Sequence, residues 1–269
     1  RYCLPPLPLP DTPETREDMA RFKASARRLD EKMGVVLNAL AHAGLDGDTL
    51  VICTTDHGIA FPCMKCSLTD GGIGVMLIMR GPGGFTGGTV VDALVSHVDV
   101  FPTVCDVAGV PRPPWLQGVS LVPLVTGSAG AVRDEIFAEV NYHAAFEPMR
   151  CARTTRHKYI RRYDGRRHPV LPNCDDGPSK SLWMGCGWND LAPADEALYD
   201  LVFDPAETNN VAGDPRYAAA LDEMRARLAR WMRETGDPLL AGGIPLPETA
   251  VLNDPDGASP KEPAVKGSR

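Results

Sequence analysis

Asp56, His57 and Lys65 are the residues of this sequence whose types and spacing point most directly to chemistry. They lie in the stretch LVICTTDHGIAFPCMK, residues 50–65, where an apolar run ends abruptly. A carboxylate and an imidazole side by side can share a divalent metal ion, and Gly58 lets the backbone turn sharply after them. The letters DHG are also typical of a turn aspartate followed by a surface histidine, so the motif alone leaves both interpretations open.

The element that must position Asp56 and His57 is a buried strand. Residues 49–55 form a β-branched and apolar run without alternation, typical of a central strand buried on both faces of a mostly parallel sheet. Ligands of open α/β sheets gather at the carboxyl ends of strands, where these two side chains lie. Upstream, the helix-start residues DTPE and apolar residues at every third or fourth position predict an amphipathic helix over residues 13–43. Such a helix and strand are half of a β-α-β unit, so we expect a further strand and the true N-terminus before Arg1.

The rest of the chain predicts a smaller second region. A second strand over 75–79 and a short helix over 99–108, closed by Gly109, complete the first region. A later helix begins at Asp214. Four short strands are predicted before it, at 135–140, 149–154, 159–163 and 197–201, with a long insertion at 166–193. We therefore predict an α/β fold with a mostly parallel sheet and flanking helices at 1–130, a small antiparallel sheet plus helix at 131–241, and a flexible tail at 242–269.

The charge of the chain is that of an acidic globular protein. Its 269 residues carry a net charge of -7 and a pI near 5.4, whereas a nucleic-acid surface needs a basic patch. The basic cluster at 150–167 is interleaved with apolar residues, which is typical of a strand with charged outer positions. No run reaches the roughly 18 apolar residues of a membrane span, and no signal peptide is visible. We therefore predict no nucleic-acid partner and no membrane span, and the oligomeric state stays open.

The eight cysteines do not form a recognisable zinc or disulfide pattern. Cys63 and Cys66 have the spacing of a zinc-binding pair, but no second pair of that spacing follows. Cys53 and Cys105 lie in apolar periodic segments and are predicted to be small core residues. With 43% hydrophobic residues the chain can build a core without a disulfide scaffold.

Several longer motifs resemble the sulfatase family of the alkaline-phosphatase-like superfamily. The motif TTDHG is followed by a lysine and then by a Gly-rich turn and an apolar strand, LTDGGIGVMLIMRGPG. Further matches are SHVDVFPTVCDVAGV and LYDLVFDPAETNNVA, so the resemblance runs from about residue 5 to residue 240. The segments PPLPLPDTPETREDMARF and AEVNYHAAFEPMRCARTTRHKYI are similar to the sulfamidase-like branch, that of heparan N-sulfatase. The resemblance implies the C-terminal part of an alkaline-phosphatase-like fold.

The resemblance also implies roles for three residues. Sulfatases hold one divalent ion, usually Ca²⁺, with acidic residues from two separate strands, and Asp56 matches the later aspartate ligand. His57 stands where members of the family have asparagine or histidine, and Lys65 matches the lysine that contacts the sulfate group. We predict that His143 and Arg150, in NYHAAFEPMR, also bind substrate, and that Lys65 and His143 are the catalytic side chains.

The sulfatase nucleophile is the part of the pattern that this sequence lacks. Sulfatases use a formylglycine made from the cysteine or serine of a Cys-x-Pro-x-Arg motif. The nearest match, Cys3-Leu-Pro-Pro-Leu7, has leucine in place of the arginine, and the early Asp-Asp metal pair is absent too. The loop after Lys65 also departs from the family, because Gly72-Ile-Gly-Val-Met76 replaces Gly-Ile-Arg-Val-Pro. We therefore expect the formylglycine and the remaining metal ligands upstream of Arg1.

Three hypotheses about function follow. The first is a metal-dependent sulfatase that cleaves the S–O or S–N bond of a sulfated sugar such as N-sulfoglucosamine. The second is a phosphodiesterase or phosphonate monoester hydrolase of the same superfamily. The third is a non-catalytic truncated remnant, and the isolated chain is expected to be inactive because the nucleophile motif is absent. The resemblance implies a periplasmic, lysosomal or secreted location.

Overall fold

The computed structural model of the chain describes residues 2–266. The described residues divide into two units that alternate along the chain. The first unit draws on Arg1–Phe22, Asp56–Val75 and Phe137–Arg269, and the second on Lys23–Thr55 and Met76–Ile136. The boundaries predicted at residues 130 and 241 stay a prediction. Each helix within residues 2–266 is too short or too polar to cross a membrane.

The first helix, α1, spans Pro13–His42 and confirms the helix predicted over 13–43. The residues before it satisfy donors that the first helical turn leaves unpaired. The Thr15 backbone N–H donates to the Thr12 hydroxyl at 3.4 Å, and the Arg16 backbone N–H donates to the Thr12 carbonyl oxygen at 3.0 Å. Glu14 adds an acid near the positive end of the helix. Local sequence therefore decides where α1 begins.

The second unit contains a two-stranded sheet, made of β1 (Val51–Thr54) and β2 (Leu77–Arg80). The α/β class is confirmed, but the parallel pairing predicted for this region is wrong for the described residues, because β1 and β2 are antiparallel. Thr54, the last residue of β1, pairs with Leu77, the first residue of β2. The connection between the two strands therefore stays at one end of the sheet, as antiparallel pairing requires. The strand predicted to be buried on both faces is only half-buried, since a two-stranded sheet gives its side chains few neighbours.

The core of the second unit is built from Phe85, Leu121 and Leu124, with α3 (Val100–Ala108) and α4 (Val122–Val125) beside it. Asp99 is fully buried at the start of α3 and accepts hydrogen bonds from the backbone N–H groups of Ser96 and Val119, at 2.8 and 2.9 Å. Gly109 adopts the left-handed conformation that ends the helix, as predicted.

The first unit contains a four-stranded sheet covered by one long helix. The sheet has the order β3-β4-β5-β6, and β5 pairs antiparallel with both neighbours. The strands are β3 (Glu135–Tyr142), β4 (Phe146–Thr154), β5 (His157–Arg162) and β6 (Glu196–Asp200), and the helices are α2 (Asp70–Ile73), α5 (Pro178–Gly185) and α6 (Ala218–Glu234). Leu221, Met224, Leu228 and Met232 of α6 pack on Leu198 of the sheet. The four short strands and the late helix predicted from sequence are confirmed.

Residues 56–75 carry the candidate site. The C-terminal part of this segment is anchored to the four-stranded sheet. Leu68 is buried among Met149 and Cys151 of β4. Asp70, at the start of α2, accepts hydrogen bonds from Arg153 at 2.9 and 3.0 Å and contacts the buried ammonium of Lys158. Because the Lys158 side chain is fully buried, loss of its Asp70 partner would be costly, so this network holds the segment in place.

The last described residues also form structure. Two short strands, β7 (Val251–Leu252) and β8 (Val265–Lys266), pair antiparallel. Asn253 is buried, and its backbone N–H donates to the Ala144 carbonyl oxygen at 2.7 Å. The flexibility predicted for 242–269 stays a prediction, and residues 267–269 lie outside the described residues.

Candidate active site

Asp56 and His57 follow β1 directly, and one potential metal-binding atom of each side chain lies near the other. Asp56 Oδ2 and His57 Nε2 lie 3.7 Å apart, and the Asp56 side chain is 88% exposed. His57 Nδ1 lies 2.7 Å from the Gly58 carbonyl oxygen, which can only accept, so Nδ1 must carry the ring proton. In the neutral ring Nε2 then points a lone pair toward the carboxylate. Two electron-rich atoms in this arrangement are suited to sharing a cation.

The metal site is incomplete within the residues that the structure describes. No group of three or more His, Cys, Asp or Glu side chains in residues 2–266 is arranged to hold a metal ion. Asp56 and His57 therefore fit a divalent ion as two of its ligands. A carboxylate oxygen suits a hard cation such as Ca²⁺, and a neutral imidazole is acceptable to several divalent metals.

Gly58 is required where it stands because two backbone segments meet there. Its N–H donates to the Gly72 carbonyl oxygen at 2.8 Å. A Cβ on Gly58 would lie 1.8 Å from the Gly71 carbonyl oxygen, which is a backbone atom and cannot rotate away. Any larger residue must therefore push residues 71–72 away from the loop that carries Asp56 and His57.

We expect Gly58→Ala to lower the free energy of unfolding by about 1–3 kcal/mol, as overpacking in a tight site does. Urea denaturation measures the change. Gly130→Ala is the matched control, because a Cβ there meets nothing within 4 Å. Equal stability of the two variants would contradict the close approach at Gly58.

Lys65 is mostly covered, and its ammonium meets a carboxylate. Its side chain is 12% exposed, and Nζ donates to the Oδ1 and Oδ2 atoms of Asp175 at 3.1 and 3.2 Å. The residues on either side, Cys63 and Cys66, have φ angles of 60° and 63°, in the left-handed region that non-glycine residues rarely adopt. Such strain persists only where the surroundings hold it, and it clusters at functional sites. The loop is therefore shaped around Lys65.

His143 lies in the turn between β3 and β4, and the charges of the site act on it. Partial burial is the main reason that the pKa of His143 is below its ordinary value. The Lys65 ammonium and the His57 ring lower that pKa further, whereas the Asp175 carboxylate raises it. The electrostatic field at His143 thus comes from the same residues that form the candidate site. The predicted residues His57, Lys65 and His143 are thus linked electrostatically.

Arg150 is buried in an ion pair and is not placed to contact a substrate. Its side chain is 0% exposed, and its guanidinium donates to both carboxylate oxygens of Asp237 at 2.5 and 3.1 Å. A further nitrogen donates to Asn141 Oδ1 and to the Met149 carbonyl oxygen, each at 2.8 Å. Burial raises the pKa of Asp237, but the hydrogen bonds from Arg150 and the Leu239 backbone N–H, together with the charge of Arg150, outweigh burial and lower that pKa. The placement does not fit the substrate contact predicted for Arg150, because no surface is left to meet a ligand.

Asp175 is the site residue that sequence analysis missed. It lies between a 3-10 helix at Leu171–Asn173 and α5, and its side chain is 46% exposed. The one sequence signal was the doublet Asp175-Asp176 before a Gly-Pro step, and such acids are typical of an ordinary helix start. The contact with Lys65 joins residues 110 positions apart, which no local pattern reveals.

Comparison with known proteins identifies the family. A family model described as sulfatase matches residues 8–110, which include Asp56, His57 and Lys65. A second model, described as N-sulphoglucosamine sulphohydrolase, C-terminal, matches residues 64–179, which include Lys65, His143 and Asp175. The two matches overlap over residues 64–110, which include Lys65.

Individual relatives agree with the family models. The chain is 32% identical to human N-sulphoglucosamine sulphohydrolase, over 87% of this chain and 51% of the relative. A solved 2-O GAG sulfatase shares 26% identity at a TM-score of 0.68, over 86% of this chain and 46% of that one. Phosphonate monoester hydrolase of Agrobacterium radiobacter shares 25% identity at a TM-score of 0.57, over 89% and 43%. The chain thus spans about half the length of the curated relative. This chain belongs to the sulfatase family.

Proposed function

We propose that the protein containing these residues is a sulfatase that hydrolyses the sulfuric ester or sulfamate group of a sulfated sugar such as N-sulfoglucosamine. The observation that carries the proposal is the environment of the Lys65 ammonium. It is held in a strained, mostly covered loop, and it lowers the pKa of His143, as His57 does. The name of the human relative and the C-terminal family model support the amino-sugar substrate.

The residues of this chain have separable tasks in that reaction. Asp56 and His57 would hold the divalent ion, which when bound neutralises charge on the sulfate oxygens. Lys65 binds a sulfate oxygen through a charge-assisted hydrogen bond. Because the pKa of His143 is lowered, its ring is neutral near pH 7 and can accept a hydrogen bond from a sugar hydroxyl.

The nucleophile is not supplied by these 269 residues. Cys3 is followed by proline at the right distance, but Leu7 stands where the motif has arginine, and the Leu7 side chain is 70% exposed. These residues do not fit a formylglycine site, and no nucleophilic step is assigned to them.

The test is an assay of the full gene product that carries this chain. We expect sulfate release from N-sulfoglucosamine and from an aryl sulfate, loss of that activity on treatment with EGTA, and recovery when Ca²⁺ is restored. An active protein that is indifferent to EGTA and to added Ca²⁺ would sink the metal-dependent part of the proposal.

Asp56→Ala should weaken Ca²⁺ binding by at least about tenfold, since even partners of metal ligands contribute factors of 10 to 100. Isothermal titration with Ca²⁺ measures the dissociation constant. Asp222→Ala is the control, because that side chain is 77% exposed and meets Arg225 on α6. Equal affinities of the two variants would show that Asp56 is not a ligand.

A second candidate function is hydrolysis of phosphonate or phosphate diesters. The similarity to a phosphonate monoester hydrolase favours it, although its TM-score of 0.57 is lower than the 0.68 of the sulfatase. Turnover numbers for an aryl phosphate diester and an aryl sulfate decide between the two. A higher value of kcat/KM for the diester would favour the second function.

A further inference from the structure

Asp175 and Lys65 form a pair with unequal access to solvent. The ammonium meets both carboxylate oxygens, but the Lys65 side chain is 12% exposed and the Asp175 side chain is 46% exposed. A molecule that approaches Lys65 therefore meets the carboxylate as well. Any anion bound at this ammonium is placed within a few ångströms of a fixed negative charge.

The segment before Asp175 is anchored to the turn that carries His143. Asn173 is 3% exposed, and its amide makes two hydrogen bonds with the backbone of Ala145: Oδ1 accepts from N–H at 2.8 Å and Nδ2 donates to the carbonyl oxygen at 3.2 Å. Nδ2 also donates to the buried Glu147 at 2.8 Å. This side of the loop cannot move without leaving buried polar groups unpaired.

The segment after Asp175 is anchored equally well. Lys180 is 3% exposed, and its ammonium donates to the Cys174 carbonyl oxygen at 2.8 Å and to Asp176 Oδ1 at 3.0 Å. The buried Asp18 accepts a hydrogen bond from the Ser179 backbone N–H at 2.7 Å. With both flanks held, the backbone that carries Asp175 is anchored close to Lys65.

A fixed carboxylate beside the binding ammonium changes which anions are favoured. The lysine alone attracts a dianion about twice as strongly as a monoanion at the same distance, because Coulomb energy is proportional to charge. The added carboxylate repels the dianion twice as strongly too, so most of the preference for the dianion disappears. Hydrolysis of a sulfate monoester converts a monoanion and water into an alcohol, a proton and dianionic sulfate.

We propose that Asp175 is a charge-selecting residue that removes most of the advantage dianions would otherwise have over monoanionic sulfate esters and sulfamates at Lys65. The inference rests on the proposed function and extends it. Dianionic sulfate is then held less tightly after hydrolysis, and phosphate monoesters, which are largely dianions at neutral pH, gain little from their second charge. Asp175 acts on the charge of the ligand without taking part in bond cleavage.

The test compares two small anions on the full gene product. Dissociation constants for inorganic sulfate, a dianion, and methyl sulfate, a monoanion, are measured by isothermal titration. Asp175→Asn is expected to tighten the binding of inorganic sulfate about tenfold relative to that of methyl sulfate. A factor of ten corresponds to a charge-charge energy of about 1.4 kcal/mol. An unchanged ratio of the two constants would overturn the proposal.

Two further variants separate charge from structure. Asp222→Asn removes the same charge from α6, where the side chain is 77% exposed and meets Arg225, and should leave the ratio unchanged. Asp175→Glu keeps the charge and should keep the ratio near that of the wild type. A shift in Asp222→Asn as large as in Asp175→Asn would overturn the assignment to Asp175. If the wild type does not hydrolyse sulfate esters, the proposed function is rejected. The ratio of the dissociation constants for inorganic sulfate and methyl sulfate still tests the role of Asp175.

Discussion

Replacing Lys65 with methionine in the full gene product is expected to lower kcat/KM for a sulfated sugar by about 100- to 1000-fold. This is the usual loss when one preorganised donor to a developing negative charge is removed. Methionine keeps the length and most of the volume of the side chain, so the mostly covered stem stays packed. Steady-state kinetics of sulfate release measures the change, and the main effect is expected in kcat because charge on the sulfate oxygens grows in the transition state.

Two controls make the result specific to the Lys65 ammonium. Lys261→Met removes a lysine that is 81% exposed and lies 3.6 Å from Asp176, and it should leave kcat/KM unchanged. The double variant Lys65→Met with Asp175→Asn removes the carboxylate that the single change leaves unpaired. If the double variant regained most of the activity, the loss would come from the unpaired Asp175 and not from the missing donor.

Arg150→Met is expected to lower the free energy of unfolding by about 3–5 kcal/mol, the usual cost of removing one partner of a buried ion pair. Asp237 would keep its charge with a side chain that is 1% exposed, and would lose the two hydrogen bonds from Arg150 while keeping the one from the Leu239 backbone N–H at 2.9 Å. Urea denaturation measures the change. The Michaelis constant of the folded variant should be close to that of the wild type, since Arg150 has no exposed surface.

Matched variants test whether burial is the cause. Adding Asp237→Leu to Arg150→Met should recover most of the lost stability, because no unpaired charge remains in the core. Arg216→Met removes an arginine that is 84% exposed and pairs with Asp214, so the change should stay within about 0.5 kcal/mol. A stable Arg150→Met variant with a raised Michaelis constant would restore the substrate-binding role first predicted for this arginine.

The sequence by itself determined the local elements and the metal-ligand candidates. The 13–43 helix, the end of α3 at Gly109 and the start of the last helix near Asp214 were all predicted correctly. Each depends on side chains within one or two turns of the element it starts or ends, so a short window of sequence contains the cause. Asp56, His57 and Lys65 were also recognisable, because one loop carries all three and the family motif spans it.

Tertiary structure alone decided which strands pair and which charged side chains contact each other. The antiparallel pairing of β1 with β2, the burial of Arg150 against Asp237 and the contact of Lys65 with Asp175 all join distant parts of the chain. In sequence Arg150 resembles an exposed strand residue and Asp175 resembles a helix-capping acid. A charged side chain becomes structural or functional according to the partner and the solvent it meets, and both are set by contacts between segments that a local pattern does not encode.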